Sequence, residues 1–271
     1  MMPPETSVGT PCNSARTASS VEKMPPESRI AVRPTKSPQV ARASWRRPMT
    51  ARIVPVSLIP QVQHGRRRAT CHTRRVTVRE LLAHDGSAVL HEGVWSHDES
   101  QALVETLRAT LAWESRRLFI FGRWVSEPRR SAWYGDPGAR YHYSGTRLEP
   151  QPWTAELERV RRVAQGCAAA PFNSVLANLY RDGNDTMGWH ADDEPELGPA
   201  PVIASVSLGA ERRFDMRHRE TRETVRTVLP SGSVLVMSGA TQRHWVHAVP
   251  RQARVRDARI NLTYRTIVGS P

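Results

Sequence analysis

The chain has 271 residues and a formal net charge of +13, which is long enough for one sizeable domain with an extension. Its three cysteines, Cys12, Cys71 and Cys167, are too irregularly spaced for a disulfide framework or a cysteine zinc site. No apolar run reaches the roughly 18 residues of a membrane helix, so we expect an intracellular protein without a membrane span.

The charge is concentrated at the N-terminus. Residues 1–75 hold 14 basic and 3 acidic side chains, whereas residues 76–271 hold 25 basic and 23 acidic ones. The first segment is rich in proline, serine and arginine and lacks hydrophobic periodicity, which predicts a disordered basic extension before a domain over 76–271. The extension is either simply solvated, an attractor of nucleic acid, or an organelle transit peptide, although its prolines oppose an amphipathic helix. A further alternative is an over-long gene start, with Met24 or Met49 as the true first residue.

The basic residues are almost all arginine. Only two of the 39 are lysine, Lys23 and Lys36, a skew typical of GC-rich genomes. This composition favours a bacterial, cytoplasmic protein, with the nucleus or an organelle as the alternative in a eukaryote.

Two helices and a strand are predicted early in the domain. A capping box from Ser96 to Glu99 precedes apolar residues at helical spacing. Residues 118–121 are predicted to form a strand that ends at Gly122, and apolar spacing predicts a second helix over 154–163.

Short strands are predicted for the rest of the chain. Six apolar runs alternate with turn residues, at 174–179, 202–208, 224–229, 233–237, 245–249 and 259–266. This even spacing favours a mostly β fold with flanking helices, with a double-stranded β-helix (jelly-roll) core. The two helices would then support one of its sheets.

A candidate metal site is formed by His190 and Asp192 together with a histidine further along the chain. On a strand, residues two apart face the same side. His244 and His247 are equally good third ligands by spacing. Two imidazoles and one carboxylate form the facial triad of non-haem Fe(II) oxygenases, although a single His-x-Asp pair is more often an ordinary surface feature.

A candidate anion site follows near the C-terminus. On a strand, Arg259, Asn261, Thr263 and Arg265 would all face one side. A buried guanidinium needs an anion, and its fork suits a dicarboxylate. The alternative is an edge strand with solvated arginines.

Several motifs of the domain occur together in one known family. They span Asn178–Tyr180, Gly188–Glu194, Ile203–Ala210, Gly232–Met237, His247–Pro250 and Arg259–Arg265. Over about 120–265 the chain resembles the AlkB family of Fe(II)/2-oxoglutarate-dependent dioxygenases. Residues 123–124, 134–138 and 141–145 are most similar to the animal AlkB homologue 2/3 branch, which repairs nucleic acids.

The resemblance implies roles for the residues of both candidate sites. His190, Asp192 and His247 would bind Fe(II), with His247 chosen because it precedes the Val-Pro step. Arg259 would pair with the distal carboxylate of the co-substrate 2-oxoglutarate. The rest of that molecule would be held by Asn178, Tyr180, Asn261, Thr263 and Arg265.

The resemblance also implies a substrate-binding set. It consists of Phe121, Gly122, Arg123, Tyr141, Tyr143, Ser144, Asp193 and Glu194. The two acids would accept hydrogen bonds from an alkylated, cationic base, the tyrosines would stack on it after flipping, and Phe121 would fill the gap in the duplex. The alternative for the two acids is a solvated acidic turn, and the alternative for the tyrosines and Phe121 is the ordinary core of a strand.

The implied function is oxidative demethylation of N-alkylated bases of the 1-methyladenine or 3-methylcytosine type. The partner would be alkylated DNA, single- or double-stranded, with RNA as a further substrate, and the protein would be a monomer. Arg251-Gln-Ala-Arg254 is less basic than the matching stretch of duplex-acting relatives, so the hairpin Arg212–Arg219 is the alternative source of phosphate contacts. The rivals are an oxygenase for proteins or small molecules and a non-catalytic nucleic-acid binder.

Overall fold

The computed structural model describes residues 52–53, 75–115, 117–120, 122–143 and 146–268. The predicted extension therefore lies almost entirely outside the described residues. The same holds for Phe121 and Ser144, and for the side chains of Tyr141 and Tyr143.

The described residues form mostly strands. These are β1 Arg52–Ile53, β2 Thr77–Glu80, β3 Ser87–Glu92, β4 Arg117–Ile120, β5 Arg123–Ser126, β6 Arg130–Gly135, β7 Tyr141–Tyr143, β8 Thr146–Leu148, β9 Ser174–Tyr180, β10 Met187–His190, β11 Ile203–Gly209, β12 Arg212–His218, β13 Thr224–Leu229, β14 Ser233–Ser238, β15 Trp245–Val249 and β16 Arg259–Arg265. The helices are α1 His97–Thr110, α2 Ala155–Ala168 and the short α3 Thr241–His244, with a 3-10 turn at Pro195–Leu197. No helix in the described ranges is long and apolar enough to cross a membrane.

Two antiparallel sheets dominate the architecture. The larger has eight strands in the order β1-β2-β3-β14-β11-β16-β9-β6, and the smaller has four in the order β10-β15-β12-β13. The hairpins β4–β5 and β7–β8 stand apart from both. The predicted double-sheet jelly roll with flanking helices is confirmed.

The first two helices support the larger sheet, as predicted. The capping box at the start of α1 is present: Ser96 Oγ accepts from Glu99 N at 3.2 Å, and Glu99 Oε2 accepts from Ser96 N at 2.8 Å. Helix α2 begins after its N-cap Thr154 and continues to Ala168, five residues beyond the predicted end. Both helices pack on β11.

Two apolar layers hold these elements together. One lies between the helices and the larger sheet and includes Leu107, Leu157 and Val206. The other lies between the two sheets, where Leu235 of β14 and Met216 of β12 are fully buried. The burial of these layers is the main favourable contribution to folding, and it fixes the spacing between the sheets that carry the site.

Candidate metal and co-substrate site

A small cavity lies between the two sheets. Its lining includes all the residues predicted to bind iron or 2-oxoglutarate, namely Asn178, Tyr180, His190, Asp192, His247, Arg259, Asn261, Thr263 and Arg265. The remaining lining is mainly apolar, from Leu176, Met187, Phe214, Met237 and Val249, together with Ser205. An apolar cavity with a few converging polar groups is the usual form of a small-molecule site.

The candidate metal ligands converge at one end of this cavity. His190 at the end of β10 lies opposite His247 of β15 in the strand register. One ligand atom each from His190, Asp192 and His247 lies within 4.8 Å of the other two. The structure therefore brings together the three predicted ligands, while the ring of His244 stacks on His218 instead.

Asp192 reaches the cluster by a different route from the one predicted. Strand β10 ends at His190, and its register with β15 shifts between Met187 and His190, so the expectation of one strand carrying both ligands is wrong. Asp192 lies in the following loop, where Oε1 of Gln242 accepts a hydrogen bond from its backbone N at 3.0 Å. Gln242, on α3, is a positioning residue that the sequence did not reveal.

The two histidines present lone pairs to the cluster. Nδ1 of His190 lies 2.9 Å from the carbonyl oxygen of Gly188, which can only accept, so Nδ1 carries the proton and Nε2 is available for a metal. Burial lowers the pKa of His247 to about 3, so this imidazole is neutral at physiological pH. Its Nε2 lies 3.7 Å from Oδ2 of Asp192.

Asp192 is a buried carboxylate held by a buried arginine. Its burial opposes ionisation, but the positive charge of Arg265 and the neighbouring histidines hold its pKa below the ordinary value. Arg265 Nη2 donates to Asp192 Oδ1. The set of two neutral imidazoles and one carboxylate matches the ligands of non-haem Fe(II).

Arg259 supplies a buried positive charge deeper in the cavity. It is 1% exposed, Nη2 donates to Ser207 Oγ at 2.9 Å, and Cζ lies 5.1 Å from the centroid of the Tyr180 ring. Nε and Nη1 have no hydrogen-bond partner among the described residues. Burial lowers its pKa to about 10, so the group stays protonated at neutral pH. Because no carboxylate in the described residues pairs with it, the site fits an acidic ligand.

Strands β9 and β16 present matched rows of polar side chains beside this cation. Arg259 lies opposite Tyr180 and Asn261 opposite Asn178 in the antiparallel register, so their side chains share a face. Asn261 Nδ2 donates to Ser205 Oγ at 2.8 Å, and Thr263 Oγ1 donates to Asn261 Oδ1 at 3.1 Å. Asn178 Oδ1 accepts from Arg129 Nε at 2.8 Å.

Arg129 and Glu127 form a buried ion pair that the sequence patterns do not predict. Arg129 Nη2 lies 3.3 Å from Glu127 Oε1, and both side chains are buried beside the cavity wall. An arginine eight positions after the predicted strand 118–121 carries no local signal of burial.

The predicted substrate-binding residues that the structure describes do not line the cavity. Asp193 is exposed and accepts from Arg219 Nη2 at 2.7 Å, and Glu194 is half-buried. Gly122 and Arg123 are exposed at the β4–β5 hairpin.

One predicted phosphate contact is wrong. Arg212 is 1% exposed and donates to the carbonyl oxygens of Asp182, Asp185 and Pro250. It ties two loops to β12 and has no surface to offer a phosphate.

Residues 87–265 match the 2OG-Fe(II) oxygenase superfamily. The chain is 45% identical to DNA oxidative demethylase ALKBH2 of Homo sapiens over 160 residues, which is 56% of this chain and 61% of that protein. It is 37% identical to human alpha-ketoglutarate-dependent dioxygenase alkB homolog 3 over 192 residues, 67% of this chain and 66% of that protein.

A plant relative is matched over a longer stretch. DNA oxidative demethylase ALKBH2 of Arabidopsis thaliana is 30% identical over 217 residues, which is 69% of this chain and 68% of that protein. The chain thus spans about three fifths to two thirds of the relatives' length. One cavity of the jelly roll contains a set of ligands typical of non-haem Fe(II) and a buried cation. The chain belongs to the 2OG-Fe(II) oxygenase superfamily, among the AlkB homologues.

Proposed function

We propose that this protein is an oxidative demethylase that repairs N-alkylated bases in DNA, of the 1-methyladenine or 3-methylcytosine type. The observation that carries the chemistry is that one cavity contains three candidate metal ligands and the buried Arg259, with which no carboxylate of the described residues pairs. The names of the relatives support the nucleic-acid substrate, since two of those compared are DNA oxidative demethylases.

Different residues of the chain would bind the metal and the co-substrate. Bound Fe(II) with 2-oxoglutarate and dioxygen would supply oxidation of a C–H bond, with succinate and carbon dioxide as co-products. His190, His247 and Asp192 Oδ2 hold the metal, and Arg259 pairs with the distal carboxylate of 2-oxoglutarate. The apolar lining excludes water, which strengthens each of these electrostatic contacts.

The rim residues would select the base. Oxidation of an N-methyl group gives an N-hydroxymethyl group, which releases formaldehyde and restores the base. Alkylation at a ring nitrogen makes the base cationic, so Asp193 and Glu194 favour it electrostatically. Phe121, Gly122, Arg123, Tyr141, Tyr143 and Ser144 are proposed as further substrate contacts.

Finer features are part of the same proposal. We place the catalytic domain at residues 76–271 and expect it to act as an intracellular monomer, nuclear if the source is a eukaryote. RNA carrying the same lesions is proposed as a second substrate, because the reacting methyl group is the same in both polymers.

Formaldehyde release tests the proposal. The full chain would be incubated with single- and double-stranded oligonucleotides that carry one methylated base, with and without Fe(II) and 2-oxoglutarate. We expect release only with both present. His190→Ala should abolish release and leave oligonucleotide binding largely intact, which separates catalysis from a binding-only role. The proposal would be contradicted if the protein oxidised peptides but did not oxidise any methylated oligonucleotide.

A further inference from the structure

An exposed tryptophan lies directly beside the candidate metal site. Trp189 precedes the ligand His190 on β10, yet it does not line the cavity and is 42% exposed. Trp245 on the neighbouring β15 is fully buried in the core between the sheets. An indole that served only to cover the sheet would be expected to bury its rings as Trp245 does.

An arginine lies against this indole. Cζ of Arg217 is 4.2 Å from the centroid of the Trp189 ring. Arg217 is on β12, where Phe214 and Met216 face the inside of the jelly roll, so by strand alternation Arg217 faces outward. Its register partner is Val246 of β15, the strand that separates β12 from β10. The pair therefore spans the outer face of the smaller sheet.

Arg217 carries a positive charge on this outer face that is unpaired within the described residues. Its neighbours are already paired, since Arg213 on the same row of β12 lies 3.0 Å from Asp215, and Arg219, just after the strand, lies 2.7 Å from Asp193. Among the described residues no acidic side chain forms an ion pair with Arg217, and its Nε has no hydrogen-bond partner. A planar guanidinium can stack on an aromatic ring while its N–H groups donate in the plane to a phosphate.

We propose that Trp189 and Arg217 bind the nucleotide next to the alkylated one, the indole by stacking on its base and the guanidinium by pairing with its phosphate. This inference rests on the proposed function, because it assigns a place to the polymer around the reacting base. Trp189 directly precedes His190 in the chain. A base stacked on the indole therefore places the neighbouring, alkylated base in the cavity. Aromatic stacking of this kind tolerates any base and is typical of single-strand binding.

Strand state follows from the same geometry. A base inside a duplex is already stacked on both faces, so it gains little from an indole unless it leaves the helix. An unpaired base gains the whole contact. The pair therefore favours single-stranded substrate over duplex.

The test measures binding of the full chain to fluorescent single-stranded oligonucleotides by anisotropy. Trp189→Leu should weaken binding roughly tenfold, the size of one lost base stack, while Trp189→Phe should retain most of the affinity. Arg217→Gln should lower the slope of log Kd against log salt by about 0.7, as expected for one lost phosphate contact. Val228→Ala, an exposed apolar side chain on β13 of the same sheet, is the control and should change neither.

An oligonucleotide whose nucleotides beside the methylated base lack their bases completes a thermodynamic cycle. With that ligand, wild type and Trp189→Leu should bind equally. The inference would be overturned if Trp189→Leu bound the intact single strand as tightly as wild type does. It would also be overturned if the substitution weakened binding to the abasic oligonucleotide as much as binding to the intact one. Formaldehyde release is measured separately: if wild type binds through Trp189 but demethylates nothing, the proposed function fails and the binding site stands.

Discussion

Arg265 donates to one oxygen of the Asp192 carboxylate, Oδ1, and the other, Oδ2, faces Nε2 of His247 at 3.7 Å. Arg265 thereby leaves Oδ2 as the Asp192 oxygen that would face a bound metal. Both side chains are buried, so each is the other's main compensation for lost solvation.

Replacing Arg265 should lower the free energy of unfolding of the metal-free protein. Breaking a buried ion pair costs about 3 to 5 kcal/mol because the remaining charge is left uncompensated. We expect Arg265→Gln to lose stability of this order in urea unfolding of the metal-free protein. The double variant Arg265→Gln/Asp192→Asn should recover most of it and still lack activity. Additive losses in the double variant would show that the two residues do not act as a pair.

The same pair predicts acid sensitivity. The folded-state pKa of Asp192 lies below its ordinary value, so the ionised pair contributes stability at neutral pH and loses it as pH falls through that folded-state pKa. The stability advantage of wild type over the double variant should therefore shrink on acidification, as measured by unfolding of the metal-free proteins between pH 7 and pH 3.

Arg259 should behave in the opposite way. Because Nε and Nη1 have no partner among the described residues, Arg259→Gln removes a buried charge rather than breaking a pair. We expect unchanged or slightly higher stability without ligand. The dissociation constant of 2-oxoglutarate should rise roughly 10- to 100-fold, the value of a lost charged hydrogen bond. Calorimetric titration of both proteins decides this, and equal affinity would remove Arg259 from the co-substrate site.

Asn178 is oriented by its neighbour. Arg129 has only donors, so the atom that faces its Nε is the amide oxygen of Asn178, and Nδ2 is left to donate elsewhere. Asn178→Asp would place a second carboxylate oxygen there and repel an acidic co-substrate, whereas Asn178→Ala would lose the donor and the acceptor of Arg129 without adding a negative charge. We expect the KM for 2-oxoglutarate to rise more in the aspartate variant than in the alanine variant. The reverse order would mean that Nδ2 does not face the co-substrate.

The sequence predicted the site best where strands are regular. Strand β16 has seven residues without a break, so alternation alone put Arg259, Asn261, Thr263 and Arg265 on one face. The same reasoning was wrong for Asp192, because the register of β10 shifts before His190 and the loop conformation depends on Gln242 of a distant helix.

Other features depend on contacts between distant segments. Spacing could not separate His244 from His247, because the one-turn helix α3 that turns His244 away has no strong local pattern. Arg212 belongs to an arginine-rich hairpin and looks solvated in the sequence. It is buried because carbonyl oxygens of two remote loops, at Asp182 and Pro250, accept its hydrogen bonds.

A polar cluster at the edge of the smaller sheet gives the last prediction. His84 lies between two acids, with Nδ1 at 2.9 Å from Asp85 Oδ2 and Nε2 at 3.0 Å from Glu223 Oε2. Nδ1 of His218 accepts from two backbone N–H groups, so its Nε2 carries the proton; this Nε2 lies 3.3 Å from Asp85 Oδ2 but makes no hydrogen bond within the described residues. A protonated Nε2 has no lone pair for a metal, so this tautomer does not suit a metal site.

His84 should therefore stabilise the fold in a pH-dependent manner. Its hydrogen bonds to Glu223 and Asp85 raise its pKa above the ordinary value. A raised folded-state pKa contributes stability that is complete below the unfolded value, near 6.5, and is lost as pH rises through the folded one. His84→Gln should lower the Tm more at pH 5.5 than at pH 8.5, and Glu223→Gln should remove much of that difference. An equal Tm loss at both pH values would show that the charge of His84 contributes nothing.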